Sequence, residues 1–224
     1  MNQLAEYYRE RAAEYDAIYA KPERQADLAR LHSLLPPMVS GARVVEVAAG
    51  TGYWTRTLAT AAAAITATDI HAATIQIART REYPCRVTFL TADAYQLDRV
   101  PGEFDTAFVG FFWSHILRAD LLRFLDGLRR RLGAGATVIV LDNRYVPGSS
   151  HPITRTSGEG DTFQRRMLND GRQYEVIKNF PTQEQFGADV AALATDLTWT
   201  ELPYFWLAAF RLSELSGLVS FPAQ

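Results

Sequence analysis

Residues 43–56, Arg-Val-Val-Glu-Val-Ala-Ala-Gly-Thr-Gly-Tyr-Trp-Thr-Arg, decide the fold, because they predict a buried strand, a tight turn and the start of a helix. The β-branched run over residues 44–47 is typical of a buried strand, and Gly50 and Gly52 are typical of the turn. Glycines let the backbone approach a ligand closely, and the first N–H groups of a helix have no partner within it. A small anionic or polar ligand is therefore expected at this turn.

Short apolar strands alternate with helices from this turn onward. The pattern predicts strands near residues 43–48, 65–69, 86–91, 104–110 and 136–142. Such alternation favours a parallel sheet with right-handed crossovers. The predicted fold class is α/β: a Rossmann-like, doubly wound, mostly parallel sheet with an antiparallel C-terminal hairpin or strand and an N-terminal helical cap.

Two helices are predicted before the first strand. The first lies within residues 1–19 and carries an aromatic stripe at helical spacing, formed by Tyr8, Tyr15, Ile18 and Tyr19. The second begins at Pro22, buries a face of leucines and ends at Pro36-Pro37. Before the last strand of the parallel sheet, residues 117–132 follow the period of an amphipathic helix, and Gly133 is expected to end it.

The pattern becomes irregular after Asp142, where a long connection is predicted. The Asp170-Gly171 pair then predicts a hairpin between strands at residues 162–168 and 172–178. This hairpin begins a C-terminal part that differs from the alternating core.

The last part of the chain predicts one helix and one strand. Thr182, with Gln185 three residues later, forms the capping pattern of a helix that is expected to run to Ala194. Residues 198–211 are rich in aromatic and β-branched side chains and predict a single closing strand.

The composition predicts one soluble domain. The 224 residues carry a net charge of −2, so no broad basic field favours nucleic acid. Cys85 is the only cysteine, which excludes an internal disulfide and a cysteine-based zinc site and is typical of a reducing compartment. Charges within residues 1–19 argue against a signal peptide, and no apolar run is long enough to span a bilayer. We expect a cytoplasmic monomer or homodimer without a metal site and without a nucleic-acid or membrane partner.

Acidic residues end three successive predicted strands. These residues are Glu46, Asp69 and Asp93. Adjacent parallel strands would bring them to one rim of the sheet. A carboxylate after the second strand commonly holds the two hydroxyls of a ribose, and Asp69 lies about 20 residues beyond the glycine turn, as this role requires. The pattern therefore predicts a ligand that contains a nucleoside.

Thr55 argues against a dinucleotide as this ligand, because the Gly-x-Gly-x-x-Gly fingerprint would need glycine there. The stretch from Glu46 to Gly52, followed by Asp69 and Asp93, instead resembles the class I S-adenosylmethionine-dependent methyltransferases. Their first motif is an acidic residue followed by Gly-x-Gly-x-Gly, and Ala48 replaces the first of these glycines. The resemblance covers roughly residues 7–142.

The resemblance implies methyl transfer from S-adenosylmethionine to an oxygen or nitrogen of a small-molecule acceptor, with S-adenosylhomocysteine as the other product. It divides the single domain, residues 1–224, into a lid over residues 1–40, a cofactor-binding core over 41–142 and a substrate-side segment over 143–224. Two alternatives stay open: an NAD(P)-dependent oxidoreductase, which Asp69 favours and Thr55 disfavours, and a module that binds S-adenosylmethionine without catalysis.

The resemblance also implies a set of cofactor contacts. Glu46 and the turn would hold the methionine end, Asp69 the ribose and Asp93 the adenine amino group, while Tyr15 would reach the cofactor from the lid. The full set is Tyr15, Glu46, Ala48, Ala49, Gly50, Gly52, Asp69, Ile70, Asp93, Ala94 and Gly110. An aromatic lid suits a sulfonium ligand through cation–π attraction.

Aromatic and basic residues are the candidates for acceptor binding. They comprise Tyr8, Arg11, Phe111, Phe112, Trp113, Arg144 and Tyr145. His115 follows the fourth predicted strand and is the candidate general base, since an ordinary histidine titrates near neutral pH. Aligning the acceptor with the methyl group supplies much of the acceleration in such reactions, so a base is not a requirement.

Overall fold

The structure is a computed structural model that describes residues 6–7, 16, 19–168 and 170–214. A short 3₁₀ turn at Pro22–Arg24 leads into the first helix. The helices in chain order are α1 (Gln25–Met38), α2 (Tyr53–Leu58), α3 (Ala72–Arg79), α4 (Leu121–Leu132) and α5 (Gln183–Val190). The strands are β1 (Arg43–Val47), β2 (Ala64–Asp69), β3 (Arg86–Thr91), β4 (Thr106–Gly110), β5 (Thr137–Asn143), β6 (Ile153–Thr156), β7 (Thr162–Met167), β8 (Gln173–Ile177), β9 (Ala194–Glu201) and β10 (Phe205–Leu212).

Seven strands form the main sheet in the order β3-β2-β1-β4-β5-β10-β9. Strands β1 to β5 pair in parallel, whereas β10 is antiparallel to both β5 and β9. The order reverses between β1 and β4, which is where ligands of open α/β sheets bind. The predicted α/β fold with a mostly parallel sheet is therefore confirmed.

Apolar side chains cover both faces of this sheet. One face packs against α4 and α5 around Phe124, Phe186 and Trp206. The other face packs against α1, with Leu31 and Leu35 fully buried. Burial of a leucine side chain contributes about 2 kcal/mol, so these contacts fix the helices on the sheet.

A second, antiparallel sheet in the order β6-β7-β8 follows β5. The hairpin of β7 and β8 was predicted from the Asp170-Gly171 pair and is confirmed. Strand β6 was not predicted, because its four residues are all exposed and show no alternation of polar and apolar side chains. We call these three strands the small sheet.

Two predictions about helix and strand ends are wrong for reasons of packing. Pro36 and Pro37 lie inside α1 instead of ending it, because Leu35 and Val39 are fully buried and hold the last turn helical. The predicted strand over residues 198–211 is two strands, because Pro203 lies in a turn in which Leu202 N–H donates to the Phe205 carbonyl at 2.9 Å.

Two other helix predictions need smaller corrections. The helix capped by Thr182 and Gln185 has the predicted capping box but ends at Val190 instead of Ala194. Leu117 lies before α4 and is exposed, so it is not part of that helix's buried face. Within the described ranges, no helix has the length and apolar character needed to cross a membrane.

Candidate active site at the carboxyl ends of the strands

The turn between β1 and α2 has an unusual backbone. Ala48, Gly50 and Gly52 all have positive φ values, of 56°, 58° and 78°. Glycine adopts this left-handed region readily, whereas alanine does so at a cost. A Cβ atom on Gly52 would collide with the Tyr83 hydroxyl oxygen, and the positive φ would strain any other residue, so this position favours glycine.

Asp69 connects this turn to the end of β2. Its Oδ2 accepts a hydrogen bond from the Gly50 N–H at 2.9 Å, and its Oδ1 accepts one from the His71 N–H at 2.8 Å. An ionised carboxylate has about four acceptor positions, so Asp69 retains room for two hydroxyl donors. Its side chain is buried but lies at the wall of a cavity.

Asp93 lies next to Asp69 along the same rim, after β3. Its Oδ1 accepts a hydrogen bond from the Tyr95 N–H at 2.9 Å, and its Oδ2 accepts one from the Gln96 side-chain amide at 3.3 Å. These local bonds fix the orientation of the carboxylate and leave acceptor capacity toward the cavity.

Glu46 is buried beneath the rim. Burial raises the pKa of Glu46 to about 8, the nearby Thr55 hydroxyl lowers it and the charge of Asp69 raises it further. A carboxyl group with this pKa is mostly protonated at neutral pH. Thr55, the residue that breaks the dinucleotide fingerprint, is itself fully buried beside Glu46.

A cavity of about 410 Å³ opens along this rim and extends to the small sheet. Its walls include nine residues that the sequence identified as candidates, and these are Ala48, Gly50, Asp69, Ile70, Asp93, Ala94, Phe111, Phe112 and His115. Sequence reasoning missed the remaining wall residues, which are His71, Thr74, Ala92, Tyr95, Leu117, Asp120, Phe163, Glu175 and Ile177. The position of Leu117, Phe163 and Ile177 in the wall shows that the small sheet and the segment before α4 enclose the cavity.

His115 lies at the end of this cavity that faces the small sheet. Its Nδ1 lies 2.6 Å from the Ile177 carbonyl, which can only accept a hydrogen bond, so Nδ1 carries the proton. Burial lowers the pKa of His115 to about 3, and the positive charge of Lys178 contributes in the same direction. The imidazole is therefore neutral at physiological pH, with Nε2 as a hydrogen-bond acceptor and a weak base.

A buried ion pair behind His115 joins the small sheet to the main sheet. Lys178 Nζ lies 3.0 Å from Asp142 Oδ1 and donates to the Ser114 hydroxyl at 2.6 Å. The Ser114 N–H donates to the other carboxylate oxygen of Asp142 at 2.9 Å. Desolvation alone would raise the pKa of Asp142, but Lys178, His115 and backbone donors lower it overall. Nothing in the sequence pattern identified this pair, since its members are 36 residues apart.

More basic side chains lie around this pair. Arg24 is buried, donates to the Asn143 side-chain oxygen at 3.3 Å and to the Ser149 hydroxyl at 3.1 Å, and stacks near the Phe205 ring. Lys21 donates to the Ser149 carbonyl at 2.9 Å. Burial and the charge of Arg166 lower the pKa of both Lys178 and Lys21. We call Lys21, Arg24, Arg166 and Lys178 the basic cluster.

Residues 44–135 of the chain match the family described as a methyltransferase domain. Two solved structures of DhpI, one a complex with S-adenosylhomocysteine and one described as the DhpI-SAM-HEP complex, are 28% identical to this chain. Their TM-scores are 0.74 and 0.76, and the alignments cover 94% and 93% of this chain and 96% of DhpI in each case. These matches support an S-adenosylmethionine-dependent methyltransferase, and the resemblance predicted from the sequence is confirmed.

More distant structures share the fold of this methyltransferase. A magnesium protoporphyrin IX methyltransferase from Synechocystis with bound S-adenosylmethionine is 13% identical, with a TM-score of 0.63 over 95% of this chain and 98% of its own. No curated protein sequence matches the chain.

Several candidate residues of the methyltransferase lie elsewhere than the cavity wall. Trp113 is buried in the core against Phe186, with ring centroids 4.7 Å apart. Arg144, which follows β5, pairs with Glu201 at the end of β9, at 2.9 Å. The Tyr145 ring packs on that of Phe180, with centroids 5.3 Å apart.

Other candidates lie close to the turn or outside the described part of the chain. Ala49 donates its N–H to the Thr68 carbonyl at 2.8 Å, and a Cβ atom on Gly110 would lie 2.7 Å from the Phe108 ring, so both are held by packing around the turn and β4. The lid residues Tyr8, Arg11 and Tyr15 lie outside the described residues.

The backbone at Ala48 predicts an effect of a single substitution. Ala48→Gly should raise the free energy of unfolding by about 0.5 to 1 kcal/mol. Glycine removes the strain of the left-handed backbone in the folded state, and this gain exceeds the stabilisation of the unfolded state by its greater chain entropy. Ala49→Gly is the matched control, because Ala49 lies outside the left-handed region. Its free energy of unfolding should fall by about the same amount, since only the unfolded-state entropy changes. Urea unfolding measures both, and an equal loss in the two variants would contradict the strain at Ala48.

The neutral state of His115 predicts how stability depends on pH. The unfolded chain binds a proton at this histidine below the ordinary histidine pKa of 6.5, whereas the folded chain does so only near 3, so acid favours unfolding between these values. We expect the melting temperature to fall from pH 6.5 to pH 4.5 and His115→Gln to reduce this slope. His151→Gln, at an exposed histidine, should leave the slope unchanged. Identical slopes for the wild type and His115→Gln would show that His115 titrates normally.

Proposed function

We propose that this methyltransferase transfers a methyl group from S-adenosylmethionine to an oxygen of a small-molecule acceptor that carries a negative charge. The observation that carries the proposal is the basic cluster, which lies behind the cavity wall, where burial and the charge of its member Lys178 lower the pKa of the wall residue His115. Lys178 pairs with Asp142, and Arg24 donates to Asn143, the residue after Asp142. Burial and the charges of Arg24 and Arg166 lower the pKa of both Lys178 and Lys21.

The cofactor end of the proposed site is acidic. Gly50 and Asp69 lie at the turn, where a carboxylate with spare acceptor positions fits the hydroxyls of a ribose. Ile70 is an exposed apolar residue in the cavity wall and suits the face of an adenine ring. Asp93 would accept from the adenine amino group. The bound cofactor would supply an electrophilic methyl group on sulfur.

The protein interior behind His115 is basic. Burial lowers the pKa of Lys178, and the charges of Arg166 and Arg24 lower it further against the raising effect of Asp142. Burial and the charge of Arg24 likewise lower the pKa of Lys21, with Arg166 adding to the effect. Positive charges at close range repel one another, and an anion bound between them reduces this repulsion. The basic cluster therefore supports a carboxylate or phosphate on the acceptor.

His115 supports oxygen over nitrogen as the nucleophile. Its pKa of about 3 makes it a weak base, so it is poorly suited to removing a proton from an ammonium group or an alcohol. An ionised acid oxygen already carries the electron pair that attacks the methyl group and needs no base. In this role His115 accepts a hydrogen bond through Nε2 and orients the acceptor. DhpI offers a parallel, because its SAM-HEP complex holds a second ligand together with S-adenosylmethionine.

Matched acceptors test this proposal. Purified protein is incubated with S-adenosylmethionine and with pairs of small compounds, each an ionised carboxylate or phosphate monoester beside its neutral amide or diester. We expect release of S-adenosylhomocysteine with the ionised member of at least one pair and much less with the neutral member. Arg24→Met should raise the KM for that acceptor by about 10-fold, in line with the loss of one hydrogen bond to a charged group. Turnover of neutral amines alone would refute the anionic acceptor.

The same assay separates a methyltransferase from a module that only binds the cofactor. Cofactor binding by calorimetry, without release of S-adenosylhomocysteine from any acceptor, would favour the binding module. Absence of both would refute the proposed cofactor site.

A further inference from the structure

Thr51, in the middle of the glycine turn, is held by residues from outside the motif. Its hydroxyl donates to Asp16 Oδ1 at 2.5 Å, and its carbonyl oxygen accepts from Arg81 Nε at 2.6 Å. The Arg81 guanidinium also forms an ion pair with Asp16 Oδ2. Thr51, Asp16 and Arg81 therefore form a closed ring of three interactions, which we call the turn clamp.

The segment after α3 also supports the turn at the neighbouring glycine. The Tyr83 hydroxyl donates to the Ala78 carbonyl at 2.8 Å and lies against Gly52. The Cβ atom of Ala78 would lie 3.1 Å from a Cβ on Gly52. Arg81 and Tyr83 thus contact consecutive residues of the turn, so this segment packs along the turn instead of meeting it at one point.

The members of the clamp come from distant parts of the chain. Asp16 lies 35 residues before Thr51, and Arg81 lies 30 residues after it. The side chains of Arg81 and Asp16 are partly exposed, with 25% and 41% of their surface accessible, so the ion pair alone adds little to global stability. The clamp instead acts locally, because it binds the carbonyl and the hydroxyl of the buried residue Thr51.

A ligand that binds the turn needs its backbone in one conformation. Three residues of the turn occupy the left-handed region, and Gly50 must present its N–H to Asp69. Glycine-rich backbone loses much conformational entropy when it is ordered, and this loss weakens binding unless the free protein already holds the bound shape. A clamp on Thr51, between two glycines, restricts the turn before the ligand arrives.

We propose that Asp16 and Arg81 are positioning residues that preorganise the Ala48–Gly52 turn for S-adenosylmethionine. This inference rests on the proposed role of the turn as the cofactor site. Neither residue needs to contact the cofactor, because both act through Thr51. The clamp also connects Asp16, which precedes α1, to the proposed cofactor site, so Asp16 contributes to cofactor affinity.

The test compares two arginines at the end of α3. Arg81→Met removes the bond to the Thr51 carbonyl and the ion pair with Asp16. Arg79→Met removes a bond from Arg79 to the Phe89 carbonyl, at 3.0 Å, that does not involve the turn. Calorimetric titration with S-adenosylhomocysteine should give a Kd about 10-fold higher for Arg81→Met than for the wild type, and within twofold of wild type for Arg79→Met. The melting temperature without ligand should fall by a similar small amount in both variants.

Conservative variants of Thr51 separate preorganisation from loss of folding. Thr51→Val removes the hydroxyl at nearly constant volume and should weaken binding severalfold, whereas Thr51→Ser keeps the hydroxyl and should restore affinity to within twofold of the wild type. A purely structural role would instead lower the melting temperature without ligand and leave the Kd unchanged.

The outcomes distinguish the clamp from the cofactor site itself. If the wild type fails to bind S-adenosylhomocysteine, the proposed cofactor site is wrong. If the wild type binds it and Arg81→Met and Arg79→Met have the same Kd, the site stands and the clamp is refuted.

Discussion

Replacing Asp69 by alanine is expected to raise the Kd for S-adenosylhomocysteine by about 100-fold, which corresponds to about 2.7 kcal/mol of binding free energy. The proposed role of Asp69 gives it hydrogen bonds to both ribose hydroxyls, and a hydrogen bond to a charged group contributes about 1.5 to 3 kcal/mol. The carboxylate also accepts the Gly50 and His71 N–H groups, so its loss frees the turn as well. Calorimetric titration measures the change.

Two variants show which of these functions dominates. Asp69→Asn keeps one acceptor oxygen but turns an NH₂ group toward backbone donors or ribose hydroxyls, so its Kd should lie between those of the wild type and Asp69→Ala. Asp98→Ala removes an exposed carboxylate that follows the same β3 rim and should leave the Kd unchanged. An Asp69→Ala protein that folds and binds with wild-type affinity would refute the ribose assignment.

Lys178→Met is expected to cause the largest loss of stability, about 3 to 5 kcal/mol, because it leaves the fully buried Asp142 without its cationic partner. For a domain of this size, the loss corresponds to a fall of about 10 °C in melting temperature. Thermal unfolding measures it. Arg155→Met is the control, because the Arg155–Glu175 pair lies in the same small sheet but is exposed and should contribute less than about 1 kcal/mol.

A second substitution separates the loss of the charge pair from the loss of packing. Asp142→Asn removes the carboxylate charge but keeps an acceptor for Ser114. The double variant Lys178→Met/Asp142→Asn should therefore be more stable than Lys178→Met, because it has no unpaired buried charge. In the wild type the pKa of Asp142 is lowered, so its contribution is present at neutral pH and is lost as the pH falls through the folded-state value. With Lys178→Met, desolvation raises this pKa and the sign reverses, so stability rises as the pH falls from 7 toward 5.

Activity gives a further consequence of the same substitution. Lys178 belongs to the basic cluster, so Lys178→Met should also abolish most turnover of an anionic acceptor while S-adenosylhomocysteine binding is retained below the melting temperature. Equal stability of Lys178→Met and Arg155→Met would contradict the buried ion pair.

Patterns within a few residues of each other were predictable from the sequence. The run of valines before Gly50 predicted β1 and its turn, the Asp170-Gly171 pair predicted the hairpin of the small sheet, and Thr182 with Gln185 predicted the start of α5. These features depend on side-chain periodicity, glycine conformation and local hydrogen bonds, which act over one or two turns of backbone.

The order of acidic residues was predictable for a similar reason. Parallel strands with short crossovers bring their carboxyl ends to one edge, so Asp69 and Asp93 meet at the rim once the α/β alternation is recognised. The sequence by itself therefore determined the fold class and the acidic rim of the cavity, where we propose that the cofactor binds.

Tertiary structure decided which of the other candidates face the cavity. Trp113 and Phe112 are neighbours in the sequence, yet Trp113 packs in the core and Phe112 lines the cavity. The short 3₁₀ turn at Trp113–His115 directs consecutive side chains to different sides, and no periodic pattern is long enough to reveal that choice.

The interactions that join distant segments were also decided only in three dimensions. Lys178 and Asp142, and Arg81 and Asp16, are pairs of common charged residues with no sequence signal that links them. The tertiary structure selects these partners by bringing Lys178 of the small sheet to Asp142 and Asp16 to Arg81, because charges interact strongly only within a few ångströms. Local sequence thus determined the scaffold and the glycine turn, while long-range packing determined the buried ion pair behind His115 and the support of that turn.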